Sequence, residues 1–313
     1  MRGLRLIRLI RFMQIKYLCL INNYNNEAFL RECLDSVYSQ SHPFDLVILI
    51  DDGSTDASER IISEFAKRYQ NFQFIKKPNE GQFSTFNAAL PFISDHTQIF
   101  LLDGDDIFPL DYLELTIRLL GNQGWDFAFC EQQVFLNSST PPNTALISDQ
   151  LPHFFSTTSA LTRSRGCWIG NPTSCISVSS ELFKKIFPYP HYRDRSFWAD
   201  NLIIYASSIL GAEKVHIPSL GVGWRDHASN DGKKSYSVED ISVKEHAINQ
   251  AFEWYCSKYG IPRYPGFFEF LAEYHNLGDY WQKRLDLPSA YRMFNRLIRK
   301  SIKQFLINKI KRN

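Results

Sequence analysis

The chain of 313 residues lacks any run of about twenty apolar residues, the length a membrane span needs. It has no Walker A loop and no GxGxxG, which argues against a P-loop NTPase and a dinucleotide-dependent dehydrogenase. Its six cysteines, Cys19, Cys33, Cys130, Cys167, Cys175 and Cys256, contain no CxxC pair. Neither a zinc site nor a redox motif is indicated, and several lie within apolar segments that mark them as buried thiols in a reducing cytosol. The net charge is only +2, so nucleic acid is not an expected partner. A signal peptide is also missing. In MRGLRLIRLIRF, Arg2, Arg5, Arg8 and Arg11 interrupt any apolar region. That segment reads as a basic amphipathic helix on a membrane or, the preferred reading, as residues upstream of a natural start at Met13.

What remains is a globular composition, 44% hydrophobic and 22% charged. The segment that organises it is LVILIDDGSTD. Leu46 to Ile50 is a short β-branched run that predicts a strand buried on both faces of a parallel sheet. It ends in Asp51 and Asp52, where open α/β sheets bind ligands. Gly53 allows a tight turn, and Ser54, Thr55 or Asp56 can cap a helix beginning near Ala57. Strands are also predicted over Tyr17–Ile21, Phe72–Ile75, Thr97–Leu102 and Asp126–Cys130. Helices are expected over Glu27–Gln40, around Ile61–Tyr69, from Gly81 and over Leu110–Leu120. This alternation is that of βαβ units. Gly81 opens a helix whose first turn can offer N–H groups to a phosphate.

From Leu136 to Ser164 the Ser, Thr, Pro and Asn content predicts a long loop, read as a lid. Helices follow over Ser179–Ile186 and Phe197–Leu210, then short strands over Val215–Ile217 and Gly221–Trp224. Beyond Val238 the pattern is helical, with an aromatic-rich stretch over Phe267–Trp281. Tyr291–Lys311 is basic and apolar with no acidic residue, a composition that suits an anionic membrane surface or the solvated face of a docked helix.

The fourth predicted strand ends in Asp103, Gly104, Asp105 and Asp106. Such a site suits Mg²⁺ or Mn²⁺, held by one or two carboxylates plus diphosphate oxygens. Gly104 permits close backbone approach to a ligand. An EF-hand is excluded, because neither acidic cluster has that loop's spacing or closing Glu.

With these segments in hand, the chain resembles a family 2 glycosyltransferase of the inverting GT-A type. The likeness rests on CLINNYNNEAFLRECLDSVYSQ, LVILIDDGSTD, NEGQFSTFNAAL and FLLDGDDIFPLDYLE, then on NPTSCISVSSELFKKIFPYP, WADNLIIYASSILGA and GVGWRDHASN. It covers roughly Tyr17 to Asn230. The resemblance implies an α/β mixed sheet flanked by helices, with a helical C-terminal extension. The implied domains are a doubtful extension over 1–13, a GT-A domain over 14–235 and a helical extension with a basic tail over 236–313.

The resemblance also implies roles. Asn22, Asn23 and Tyr24 would border the nucleotide. Asp52 would accept a hydrogen bond from the base, typically uracil N3–H, and Asp51 would support the turn. Gln82, Asn87 and Gly104 fall in the donor-binding segments. Asp105 would bind the metal, with Asp103 near the ribose or the metal and His227 closing over diphosphate or metal. Arg225 would pair with phosphate. Asp200 matches the general base. At a helix N-terminus beside Trp198, it is expected to stay ionised.

Two departures stand out. Phe86 precedes Asn87 where many members carry Arg, and Ala199 precedes Asp200 where Glu is usual. The expected activity is transfer of a sugar, from a UDP-sugar above all, to a cell-surface glycan or lipid-linked acceptor, with Mn²⁺ or Mg²⁺. The expected location is the cytoplasm, with peripheral contact to the membrane. A sugar-1-phosphate nucleotidyltransferase needs a Gly-rich, Arg-containing loop after the first strand, which NNYNNEAF is not. A non-catalytic binding module would not need the intact carboxylates at 52, 105 and 200.

Overall fold

The computed structural model describes residues 15–121, 124–137, 139–228, 230 and 237–285. The expectations for residues 1–13 and for the basic tail beyond 285 fall outside them. The first half alternates strand and helix: β1 (Lys16–Asn23), α1 (Leu30–Tyr38), β2 (Leu46–Asp51), α2 (Ser58–Arg68), β3 (Phe72–Lys76), α3 (Gln82–Ala89), β4 (Thr97–Asp103), α4 (Tyr112–Leu120) and β5 (Phe127–Leu136). Then come β6 (His153–Phe155), α5 (Ser159–Arg165), β7 (Ile176–Ser179), α6 (Ser180–Ile186), α7 (Ala199–Ile209), β8 (Lys214–Asp226), α8 (Val238–Tyr259), α9 (Phe267–Asn276) and α10 (Gly278–Arg284).

The chain forms two compact units. The described residues of the first fall in Met1–His153, Asn171–Arg195 and Val215–Ser235, and those of the second in Phe154–Gly170, Ser196–Lys214 and Tyr236–Asn313. In the first unit the strands follow the order β3-β2-β1-β4-β7-β5-β8, with β6 starting at His153, the last residue of the unit's first segment. The pairs β1–β2, β1–β4 and β2–β3 are parallel, while β7 runs antiparallel to β4 and β5. The sheet is therefore mixed and flanked by helices, as expected. Its apolar runs are buried by Leu30, Leu34, Ile61, Ile62, Phe65, Leu113 and Leu115 of the helices. That burial is the driving force for the layer.

Parallel register fixes where the polar strand ends meet. Asn22 stands opposite Asp103, Asn23 opposite Asp51, and Asp51 opposite Lys76. The acids thus reach one sheet edge together.

Several boundaries differ from the sequence expectation. Helix α1 starts at Leu30 rather than Glu27, because Glu27 is engaged elsewhere: its N–H donates to Asp56 and its carboxylate accepts from Ala57 N. The expected long loop holds the end of β5, all of β6 and the start of α5. Its Ser- and Pro-rich composition hid the short run His153–Phe155. Strand β7, only four residues, precedes the helix that was expected to begin at Ser179, and Ser179 caps that helix by accepting from Leu182 N. The two short strands near the C-terminal end are one strand, β8. Pro218 breaks the hydropathy pattern but not the strand, and its carbonyl accepts from Ser148 Oγ.

In the second unit α7 is buried along ten of its positions. Lys214 Nζ, also buried, donates to the carbonyls of Ile169 (2.8 Å) and Ile204 (2.9 Å). Burial lowers its pKa well below the usual lysine value. The aromatic stretch over Phe267–Trp281 spans α9 and the start of α10, and Trp281 packs edge-on against Phe155 at 5.2 Å. All six cysteines are free and buried, not only the several expected to be.

Candidate active site

The turn after β2 is built by its own carboxylates. Asp51 accepts from Asn23 Nδ2 (2.8 Å), Ser54 N (3.0 Å) and the Ser54 hydroxyl. These bonds hold the turn. Gly53 has φ +76°, and a Cβ there would stand 2.8 Å from Asn79 N, so a side chain is excluded by both conformation and space.

Asp52 points the other way, into the loop after β3. It is 4% exposed. Its Oδ1 accepts from Glu80 N (3.0 Å) and from Lys77 Nζ in an ion pair, and its Oδ2 accepts from Gly81 N (2.8 Å). Helix α3 begins at the next residue, and Gln82 Nε2 donates to Asp103 Oδ1 at 2.9 Å. The same oxygen accepts from Asn22 Nδ2. The two acidic strand ends are therefore joined through Gly81 and Gln82. Tyr24 stands 44% exposed just past β1.

The acidic loop after β4 packs tightly on β1. Gly104 N donates to Asn22 O (3.0 Å), and a Cβ on Gly104 would lie 2.6 Å from Asn23 Oδ1. Asp105 Oδ2 lies 3.0 Å from His227 Nε2, and the His227 ring rests against Phe29 at 4.6 Å. Asp106 is buried and accepts from Ser174 Oγ (2.6 Å) and Arg225 N (2.9 Å). Burial, then the charge of Asp105, pushes its pKa up to about 8 against those bonds. Among the described residues no group of three or more His, Cys, Asp or Glu side chains is placed to hold a metal ion.

Two residues expected at the ligand make contacts within the protein. Arg225 is buried, its guanidinium between the rings of Phe29 (5.1 Å) and Phe135 (4.6 Å). It donates to Asp105 O (2.8 Å) and Asn137 Oδ1 (3.3 Å) and pairs with Glu32, contacts that buttress the acidic loop. Asn87 clamps the backbone of Tyr189 through both amide atoms, Nδ2 to O at 3.0 Å and N to Oδ1 at 2.9 Å. The position before it, Phe86, is buried against Phe183 and Phe187.

Asp200 belongs to the second unit, in the first turn of α7, and is 8% exposed. Its Oδ1 accepts from Asn201 N (2.6 Å) and Asn201 Nδ2 (3.1 Å). It was expected to stay ionised at neutral pH. Burial pushes its pKa up to about 6, against the Asn201 bond and the charge of Lys244, which still leaves it mostly ionised there. Lys244 Nζ sits 4.3 Å over the Trp198 ring.

The Glycosyl transferase family 2 model matches residues 19–187, more than half of the chain. The chain belongs to that family. This family 2 glycosyltransferase is 27% identical over 239 residues to an uncharacterised glycosyltransferase of Nostoc sp., covering 76% of this chain and 72% of that one. It is 38% identical over 96 residues to the minor teichoic acid biosynthesis protein GgaA of Bacillus subtilis, over 29% of this chain and 22% of the relative. The matched part is thus a small share of that longer protein.

Among solved structures, S. aureus TarS with UDP-GlcNAc superposes with a TM-score of 0.56 at 18% identity, over 76% of this chain and 66% of that chain. GalNAc-T7 with UDP, GalNAc and Mn²⁺ gives 0.54 at 12% identity, over 90% and 58%. These likenesses show the GT-A fold. In this glycosyltransferase the sequence reading missed Lys77, Glu80, Ser174 and Glu32 and gave Asp106 no role. A clue was present for Asp106 alone, as the third acid of one loop.

Proposed function

We propose that the enzyme transfers a sugar from a UDP-sugar to a hydroxyl of a cell-surface glycan or lipid-linked acceptor, with inversion at the anomeric carbon. The observation that carries this reading is the joined acidic edge: Asp52 holds Gly81, and Gln82 donates to Asp103. One connected set of groups can serve both the base and the diphosphate of a donor. Ionised Asp52 only accepts. Lys77 and Glu80 N occupy Oδ1, while Oδ2 keeps one acceptor position beyond Gly81 N. An imino N–H such as uracil N3–H matches that position. Asn22, Asn23 and Tyr24 border the base and ribose in this reading, and Gly104 brings backbone close to the diphosphate. TarS with UDP-GlcNAc supports the nucleotide, and the teichoic acid name of the Bacillus relative supports a cell-surface acceptor.

Mn²⁺ or Mg²⁺ fits the acidic loop. Asp105 Oδ2 and His227 Nε2, 3.0 Å apart, offer an oxygen and a nitrogen of the kinds such ions accept. Asp105 and His227 would be the protein groups that hold the ion, with Asp103, engaged by Asn22 and Gln82, close by. Bound there, the ion would offset the charge growing on the leaving diphosphate. Asp200 serves as general base. It takes the proton of the acceptor hydroxyl, whose oxygen forms the new bond to the anomeric carbon as the nucleoside diphosphate leaves from the opposite face. With a pKa of about 6 it is mostly ionised at pH 7 and more basic than an ordinary aspartate. Cytoplasmic location and peripheral lipid contact through residues 291–311 complete the reading and rest on composition.

The test is mass spectrometry of products after incubation with UDP-glucose, UDP-galactose, UDP-GlcNAc and UDP-GalNAc, alongside calorimetry with UDP. Sugar transfer from one donor, lost in Asp52→Asn, is the expected result. A wild-type chain that neither binds UDP nor consumes any of the four overturns the proposal.

A further inference from the structure

A second carboxylate reaches the sheet edge that Asp103 occupies. Strand β7 registers both of its neighbours: Phe100 of β4 and Ala128 of β5 each stand opposite Ser177. Both neighbours are antiparallel to β7, so they run in the same direction. Three residues further along each strand brings Asp103 level with Glu131. Equal level puts the two side chains on one face, and two strand spacings set them about 10 Å apart. The turn between them touches both: Asp103 N donates to Ser174 Oγ (3.1 Å), and Cys175 Sγ donates to Glu131 O (3.6 Å).

Glu131 follows four buried residues of β5, Phe127, Ala128, Phe129 and Cys130. Its Oε1 lies 2.7 Å from His216 Nε2, and its Oε2 accepts from Asn171 Nδ2 at 3.4 Å. His216 is itself buried, its ring stacked on Phe129 at 4.8 Å and 15°. The Glu131 side chain keeps 28% of its surface exposed. For packing alone, an apolar pair would stabilise this edge as well or better. The side chain is instead held by a buried imidazole while part of its surface stays exposed.

We propose that Glu131 binds sugar hydroxyls and that His216 is the positioning residue that fixes its carboxylate. The inference rests on the glycosyltransferase reading above. A carboxylate held in one orientation accepts hydrogen bonds from neighbouring ring hydroxyls, and such charge-assisted bonds are the stronger kind. Its spacing from Asp103 leaves room for one pyranose between the diphosphate region and Glu131. The hydroxyls belong to the transferred sugar or to the acceptor sugar, and the assay separates the two.

Glu131→Gln preserves shape and removes the charge. His216→Gln keeps an N–H donor, whereas His216→Leu does not. UDP affinity is measured by calorimetry. Donor hydrolysis is measured without acceptor on the UDP-hexose the wild type consumes. Transfer is measured to free hexoses and hexosamines. Glu131→Gln should leave the UDP dissociation constant unchanged and lower one kcat/KM about ten- to hundredfold. A fall in hydrolysis identifies the donor sugar, and a fall in transfer alone identifies the acceptor. His216→Leu should reproduce the loss and His216→Gln should recover most of it.

Unchanged hydrolysis and transfer in Glu131→Gln, with UDP still bound, overturns the inference and leaves the transferase reading intact. UDP affinity falling by the same factor as the sugar terms also overturns it, because the role would then be structural. A wild type that neither binds UDP nor consumes a UDP-hexose removes the underlying reading instead.

Discussion

Asp200→Asn should make the protein more stable and less active at once. Asp200 titrates near 6 in the folded chain, against 3.8 for the unperturbed group, because burial outweighs the Asn201 bond and Lys244. A carboxyl that is harder to ionise in the folded state favours the fold when protonated. That contribution is fully present below pH 3.8 and is lost as pH rises through about 6. The difference corresponds to roughly 3 kcal/mol at neutral pH. Asparagine has the same shape, keeps an oxygen for Asn201 N and carries no charge to desolvate. At pH 8 the variant should therefore melt several degrees above wild type, at ~2–4 °C per kcal/mol. Near pH 4 the two should melt together. Turnover at pH 7.5 should fall about 10²–10⁴-fold with UDP affinity kept, and wild-type kcat should decline below about pH 6. Calorimetric melts at both pH values, with steady-state rates, check this. A melting difference independent of pH would refute the burial argument, and turnover within a few-fold of wild type would refute the base assignment and turn attention to Asp194.

Asp105→Asn should abolish turnover and metal-dependent donor binding in a folded protein; full turnover in excess EDTA would contradict the metal reading. Lys77→Met leaves Asp52 buried without its cation, so stability should fall by ~3 kcal/mol or more and UDP affinity should drop, read by denaturant titration and calorimetry. Gly53→Ala forces a Cβ to 2.8 Å from Asn79 N at φ +76° and should cost on the order of 1–3 kcal/mol, with a similar loss of UDP binding. Removing the residues after Ser289 should weaken flotation with anionic liposomes at low salt; equal flotation would show that the tail is not the anchor.

The alternating first half of the fold was legible because each buried parallel strand is an unbroken apolar run followed by polar residues within the same short stretch. Asp51, Asp52, Asp103 and Asp105 were readable for that reason, since strand and carboxylate lie side by side in sequence. Side-chain destinations were not readable where the partner is remote. Asn87 meets Tyr189 across 102 positions, and Arg225 meets Glu32 across 193. No local pattern distinguishes such an arginine from one aimed at a phosphate. Asp200 shows a related limit: its helix position was visible, but the burial that governs its proton is a property of the packed unit. Strands β6 and β7 escaped because three or four residues are too few to show a period.

The Arg225 guanidinium also sets an order of assembly. The carbonyl of Asp105 waits for a donor 120 residues downstream. At ~5–20 residues per second of synthesis, the acidic loop is exposed on the ribosome for roughly 6–24 s before its buttress exists. A nascent chain that has made β1 to β5 therefore carries the carboxylates without the strand that braces them. Donor recognition should appear abruptly once β8 has emerged, and nascent chains arrested before Arg225 should hold no nucleotide-sugar.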